Sequence, residues 1–218
     1  VVRRKNKTHI LSGNEIAAIL LHHIEKNKKL PKNATVISTI VTTPLLDKIC
    51  KAKKIKIIKV LTGFKYIAER IEPGSFIFAA EQSYGYLAGD YVRDKDGIGI
   101  AMLLSEAALD AKLNGKTLLD LYDELEETYG IHRSKERSIQ TTDPITKNLR
   151  ENPPTNIANL KVTSIDDNKS GDVLTYHLEG GHQLIVRPSG TEPKVKIYAM
   201  TCGSDAEKLL DPLLNGII

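Results

Sequence analysis

Four polar loops carry residue types able to bind a phosphorylated or hydroxyl-rich ligand. Arg187-Pro188-Ser189-Gly190-Thr191-Glu192-Pro193 places a guanidinium, two hydroxyls and a glycine between two strand-like stretches. A glycine lets the backbone approach an anion, and successive amides form an anion-binding nest. Arginine adds a bidentate fork that matches phosphate oxygens. The same residues also suit a plain hairpin turn, with proline second and glycine fourth, so the residues alone leave both readings open. Glu81-Gln82-Ser83-Tyr84-Gly85 follows an apolar strand-like run, and ligands of parallel sheets gather beyond the carboxyl ends of strands. Its carboxylate, amide and hydroxyl could bind sugar hydroxyls, or Glu81 could cap a helix. Thr62-Gly63 stands between a strand and a helix, a place for an anion at a helix N-terminus or for a routine turn. In Arg93-Asp94-Lys95-Asp96-Gly97, Lys95 offers a cation while Asp96 can cap the next helix; a solvated charged loop reads the same way.

Other chemistries find no support. His9, His22, His23, His132, His177 and His182 lack metal-ligand spacing. No Walker loop and no Gly-x-Ser-x-Gly occurs. Cys50 and Cys202 are too few and too far apart for a disulfide framework or a zinc site, so a reducing cytoplasm is the plain expectation. The longest apolar run, Ile16 to Leu21, falls far short of the roughly 20 residues that span a bilayer. No secretory signal opens the chain, and no membrane partner is expected.

Residues 1–60 carry 14 Lys and Arg against 3 Asp and Glu, whereas residues 61–218 carry 17 against 24. A nucleic-acid surface would interleave such cations with aromatics, yet Val1 to Val60 holds no Phe, Tyr or Trp. Lys26, Lys28, Lys29, Lys51, Lys53 and Lys54 fall at expected helix C-termini, where cations favour the helix dipole. Nucleic acid is therefore not the expected partner.

The elements that must position the loops alternate. Ser12-Gly13-Asn14-Glu15 is a capping box ahead of Ile16, Ile19, Leu20 and Ile24 at helical spacing, and the helix should stop before Pro31. Strands are expected over Ala34–Val41, Ile55–Leu61 and Ser75–Ala80. Helices are expected after Thr43-Pro44 (through Lys53), over Phe64–Ile71, from Asp96 to Leu113, and from Thr117 to Gly130. Such alternation implies βαβ crossovers and a mainly parallel sheet over residues 10–130. From Ile131 the pattern changes to consecutive strands with helices at the ends, Pro144–Arg150 and Asp205–Leu214. That predicts a small α+β domain over residues 131–218 with an antiparallel sheet. With 218 residues, 41% hydrophobic and 27% charged, two globular domains are reasonable.

Taken in order, the four loops resemble those of the phosphoglucomutase/phosphomannomutase (phosphohexomutase) family, and the resemblance covers nearly the whole chain. It implies the third and fourth of four domains: a three-layer α/β sugar-binding domain, then a phosphate-binding α+β domain. Residues 1–9 would be a remnant of a preceding domain, and the start at Val1 reads as a cut in a longer gene product. The resemblance implies sugar contacts from Thr62, Gly63, Glu81, Ser83 and Lys95, and a phosphate clamp of Arg187, Ser189, Gly190, Thr191 and Lys196. Gln82 replaces the Glu common in the phosphoglucomutase branch, and the final domain is shortened around Ser138 to Lys147. The family's phosphoserine and Mg2+ loop would lie on the missing N-terminal domains, which become this chain's partners alongside a hexose phosphate substrate. Hexose 1,6-bisphosphate would serve as intermediate and activator, with no catalytic residue or metal ligand in this piece. A non-catalytic sugar-phosphate-binding protein is the alternative.

Overall fold

A computed structural model describes residues 1–190 and 192–217. The chain divides into two compact units, Val1–Gly130 and Ile131–Ile218.

The first unit opens with a hairpin of β1 (Val2–Arg4) and β2 (Lys7–His9). It turns through Lys5 and Asn6, both at positive φ (47° and 62°), as a two-residue hairpin turn requires. The capping box forms as expected: Ser12 Oγ accepts from the Glu15 N–H at 3.2 Å, and the Ser12 N–H donates to Glu15 Oε2 at 2.6 Å. It starts α1 (Gly13–Asn27), which ends ahead of Pro31. Then follow β3 (Thr35–Thr39), α2 (Leu45–Lys53), β4 (Lys56–Val60), α3 (Phe64–Ala68) and β5 (Phe76–Glu81). Pro44 stands one residue ahead of α2, and the Thr43 hydroxyl accepts from the Leu45 N–H at 3.2 Å, doing the capping. After β5 come β6 (Gly85–Ala88), α4 (Gly97–Leu113) and α5 (Leu118–Tyr129). A second capping box, Thr117 with Asp120, starts α5, and Gly130 at φ 94° ends it.

The sheet order is β4-β3-β5-β6, with β3 parallel to both β4 and β5. β6 folds back antiparallel to β5, an edge strand that the sequence pattern does not announce because its four residues are too short to show a period. One face packs Val36, Phe78 and Ala80 against α1, α2 and α4 through Leu20, Leu46, Ile49 and Leu103. The opposite face packs Ile37, Ala79 and Leu87 against Phe64, Ile67 and Ile71, in and just after α3. Neighbours such as Val36 and Ile37 thus point to different cores, as the two-residue period of a strand demands.

The second unit contains β7 (His132–Gln140), α6 (Ile145–Glu151), β8 (Asn156–Ile157), β9 (Leu160–Asn168), β10 (Val173–Leu178), β11 (Gln183–Pro188), β12 (Lys194–Cys202) and α7 (Ala206–Asn215). Its strands pair antiparallel in the order β7-β12-β11-β10-β9-β8. Leu174, Leu184, Val186 and Ile197 pack with Leu210, Leu213 and Leu214 of α7. Burying each such side chain contributes about 1.5–3 kcal/mol. Residues 141–144 link β7 to α6. Among the described residues no helix is long and apolar enough to cross a membrane.

Candidate functional site

Three of the four loops meet in the first unit. Glu81 ends β5 and is only 5% exposed, yet it faces no ion-pair partner among the described residues. Its Oε1 accepts from the Gly63 N–H at 3.0 Å. Gly63 sits at φ 125°, a conformation that suits glycine, between β4 and α3. The second Glu81 oxygen faces Gly85: a Cβ there would lie 2.7 Å from Glu81 Oε2 and 2.8 Å from Lys95 Cδ. The absent side chain at Gly85 therefore lets a carboxylate and a lysine stem approach each other. Lys95 Nζ lies 5.1 Å from the centre of the Phe64 ring and 3.5 Å from Asp94 Oδ1. Thr62 Oγ1 is buried without a hydrogen-bond partner, an unusual state that leaves a donor and an acceptor unused. Thr62, Gly63, Glu81 and Lys95 are thus gathered by the ends of β4 and β5. Ser83 sits on the exposed tip of the β5–β6 turn.

The lysine loop is held at several points. Arg93 Nη1 donates to the Ala68 carbonyl at 2.8 Å, and the Asp96 N–H donates to the Tyr86 carbonyl at 2.9 Å. Asp96 caps α4, accepting from the Ile98 and Gly99 N–H groups at 3.0 and 3.1 Å. The Tyr91 hydroxyl also donates to Asp96. That hydroxyl, then the Gly99 and Ile98 amides, hold the Asp96 carboxyl below the usual carboxylate range. Lys95 is consequently presented from a tethered loop.

Sequence reasoning passed over Phe64, whose ring lies beneath Lys95, because a helix-opening phenylalanine reads as core. It also passed over Asn14, whose Oδ1 accepts from the Thr43 N–H at 3.0 Å. Cys50 is buried, and burial pushes its thiol up to about 12, far from thiolate chemistry.

The fourth loop lies in the second unit and is a hairpin connection between β11 and β12. The Ser189 N–H donates to the Lys194 carbonyl at 2.8 Å, and the Glu192 carboxylate pairs with the Lys194 ammonium. Nothing lies within 4 Å of where a Gly190 Cβ would stand, so packing does not require a glycine there. Thr191 lies outside the described residues. Arg187 and Lys196 face each other in the β11–β12 register, which sets two cations side by side next to the loop. The arrangement offers a guanidinium, an ammonium and an open glycine backbone to an anion.

Among the described residues no group of three His, Cys, Asp or Glu side chains could hold a metal ion.

The chain matches the family models for phosphoglucomutase/phosphomannomutase alpha/beta/alpha domain III over residues 12–129 and for the C-terminal domain over residues 147–211. It is 36% identical over 220 residues to a Haemophilus influenzae protein named "Probable phosphomannomutase", covering 95% of this chain and 44% of that protein. A Staphylococcus haemolyticus phosphoglucomutase is 32% identical over 241 residues, covering 97% of this chain and 44% of its own length. The chain therefore spans less than half the length of these relatives. Among solved structures, a phosphoglucomutase/phosphomannomutase family protein of Burkholderia thailandensis shares the fold at a TM-score of 0.67 and 16% identity, covering 97% of this chain and 41% of that one. An Aspergillus fumigatus N-acetylphosphoglucosamine mutase, solved with GlcNAc-6P and magnesium, does so at 0.58 and 18% identity, covering 98% and 45%. With one family model matching more than half of the residues and a second following it in order, this chain belongs to the phosphoglucomutase/phosphomannomutase family.

Proposed function

We propose that this chain is the substrate-recognising part of a phosphohexomutase, interconverting hexose 1-phosphate and hexose 6-phosphate with glucose or mannose as the sugar. The observation that carries this reading is the meeting of Glu81, Gly63 and Lys95 around the gap at Gly85. A carboxylate with one oxygen held by a backbone amide keeps the other free to accept from sugar hydroxyls. The buried Thr62 hydroxyl and the Lys95 ammonium supply donors. Arg187, Ser189, Gly190, Thr191 and Lys196 then hold the phosphate that is not being transferred.

A mutase must accept its sugar in two opposite orientations, so the Glu81 loop binds hydroxyls that both orientations present. The phosphoryl donor is a phosphoserine, and with its Mg2+ it belongs to N-terminal domains that the relatives possess and this chain does not span. The donor phosphorylates the free hydroxyl, forming hexose 1,6-bisphosphate, which turns over and returns the other phosphate to the serine. Positioning and charge neutralisation supply most of the rate in such transfers, and these are what the residues here contribute. The reading places the protein among cytoplasmic hexose phosphates.

Calorimetric titration of the 218-residue chain with glucose 6-phosphate and mannose 6-phosphate tests the proposal. Saturable binding that Glu81→Gln weakens is the expected result, with no turnover of glucose 1-phosphate by the chain alone. Absence of binding, or binding indifferent to Glu81, refutes the site. Turnover by the isolated chain refutes the placement of the phosphoserine elsewhere.

A further inference from the structure

Arg187 and Lys196 stand directly opposite each other on neighbouring antiparallel strands. Like charges so placed repel, so an empty clamp needs a counter-charge. β7 provides one. Glu136 is the register partner of Tyr198, two residues along β12 from Lys196 and on the same face of the sheet. Its Oε1 lies 3.1 Å from Lys196 Nζ. Tyr198 is buried, with the Lys196 ammonium 6.0 Å from its ring centre. Burial raises the pKa of the Tyr198 hydroxyl; Glu136 raises it further and Arg187 opposes the rise, so both charges are felt at one atom.

We propose that Glu136 is an internal stand-in for the substrate phosphate: it neutralises the Arg187–Lys196 pair in the empty clamp and gives up Lys196 when phosphate arrives. The inference rests on the phosphate role assigned to Arg187 and Lys196 above. The ion pair is built to be exchanged, since the side chains of Lys196 and Glu136 are 28% and 42% exposed. Half-solvated pairs are weak, whereas a phosphate monoester brings about two negative charges at neutral pH and three acceptor oxygens. Phosphate therefore wins Lys196, but against a standing competitor. That competition has a use in a mutase, because the held phosphate must leave the clamp before the bisphosphate can turn over. Glu136 recaptures Lys196 and hastens the departure.

The test is Glu136→Gln in the 218-residue chain, titrated with glucose 6-phosphate and separately with inorganic phosphate. Binding of both should tighten roughly three- to fivefold, the size expected for loss of a competing half-exposed ion pair. The melting temperature without phosphate should fall and be recovered by saturating phosphate. In a Lys196→Met background, Glu136→Gln should leave affinity unchanged, which a purely structural role for Glu136 would not produce. Glu136→Asp, which keeps the charge, should bind more weakly than Glu136→Gln. Unchanged or weaker phosphate binding by folded Glu136→Gln, while Arg187→Ala still lowers affinity, overturns the stand-in role and leaves the phosphate site intact. Failure of the unmodified chain to bind either probe overturns both.

Discussion

Gly13 and Gln82 touch so closely that a Cβ at Gly13 would lie 2.0 Å from the Gln82 carbonyl oxygen. The first turn of α1 thus backs directly onto the β5–β6 turn that carries Glu81 and Ser83. Two tyrosines strap the same junction: Tyr86 donates to the Gly13 carbonyl at 2.7 Å and Tyr84 to the Leu11 carbonyl at 3.3 Å. The β5–β6 turn is thus fastened from behind to a helix start.

Gly13→Ala should therefore damage both fold and site. The clash is with backbone, which cannot swing aside, so destabilisation of about 1–3 kcal/mol is expected. Urea melts would show it as a lower midpoint, and calorimetry as weakened hexose phosphate binding. A midpoint like that of the unmodified chain would mean that the contact has slack.

Gly85→Ala should separate stability from function. The new methyl group meets Glu81 Oε2 and the Lys95 stem, side-chain atoms that can move, so the fold should lose only about 1 kcal/mol. Moving them apart should cost at least about tenfold in hexose phosphate affinity, or roughly 1.4 kcal/mol. Undiminished affinity would remove the gap at Gly85 from the binding site.

Arg187→Ala should weaken hexose phosphate binding about 10- to 100-fold, as expected for loss of charged hydrogen bonds. Arg187→Lys should recover only part of this, because an ammonium cannot make the bidentate fork. With the N-terminal domains present, phosphoserine should still form. Equal affinity for the arginine and lysine forms would argue for simple charge attraction over a shaped clamp.

Acid sensitivity should centre on Asp120. Its carboxyl is held at about 2, first by the Thr117 hydroxyl and amide and then by Arg4 of the N-terminal hairpin. A depressed folded-state pKa contributes stability that is present above the unfolded value near 3.8 and lost as pH falls through about 2. Melting temperature should drop across that window. Asp120→Asn should be less stable at pH 7 and flatter between pH 4 and pH 2, and an equally steep profile would assign the acid loss to other groups.

The lysine-rich opening segment illustrates how far charge could be read from sequence. Lys26, Lys51 and Lys53 do lie in last helical turns, and Lys54 caps α2 in a left-handed conformation. Lys53 and Lys59 also pair with Glu25 and Asp47, at 2.9 and 2.8 Å. Those pairs join residues far apart in sequence, and no local pattern encodes them.

Both capping boxes, the alternation of strands and helices in the first unit, and the four loops themselves were legible because each is a local signal: a side chain bonding a backbone group three residues away, or apolar residues repeating at a fixed period. The edge strand β6 was not, since pairing with β5 makes it a strand and its own four residues do not. Likewise nothing local marks Gly85, and only the approach of Glu81 and Lys95 shows the space it leaves. The sequence by itself determined which residues have the chemistry to bind a sugar phosphate. Tertiary structure decided that Glu81 answers to Gly63, that Lys95 stands over Phe64, and that Glu136 reaches Lys196, because hydrogen bonds and charges act through space and segments distant along the chain become neighbours only when apolar faces are buried together.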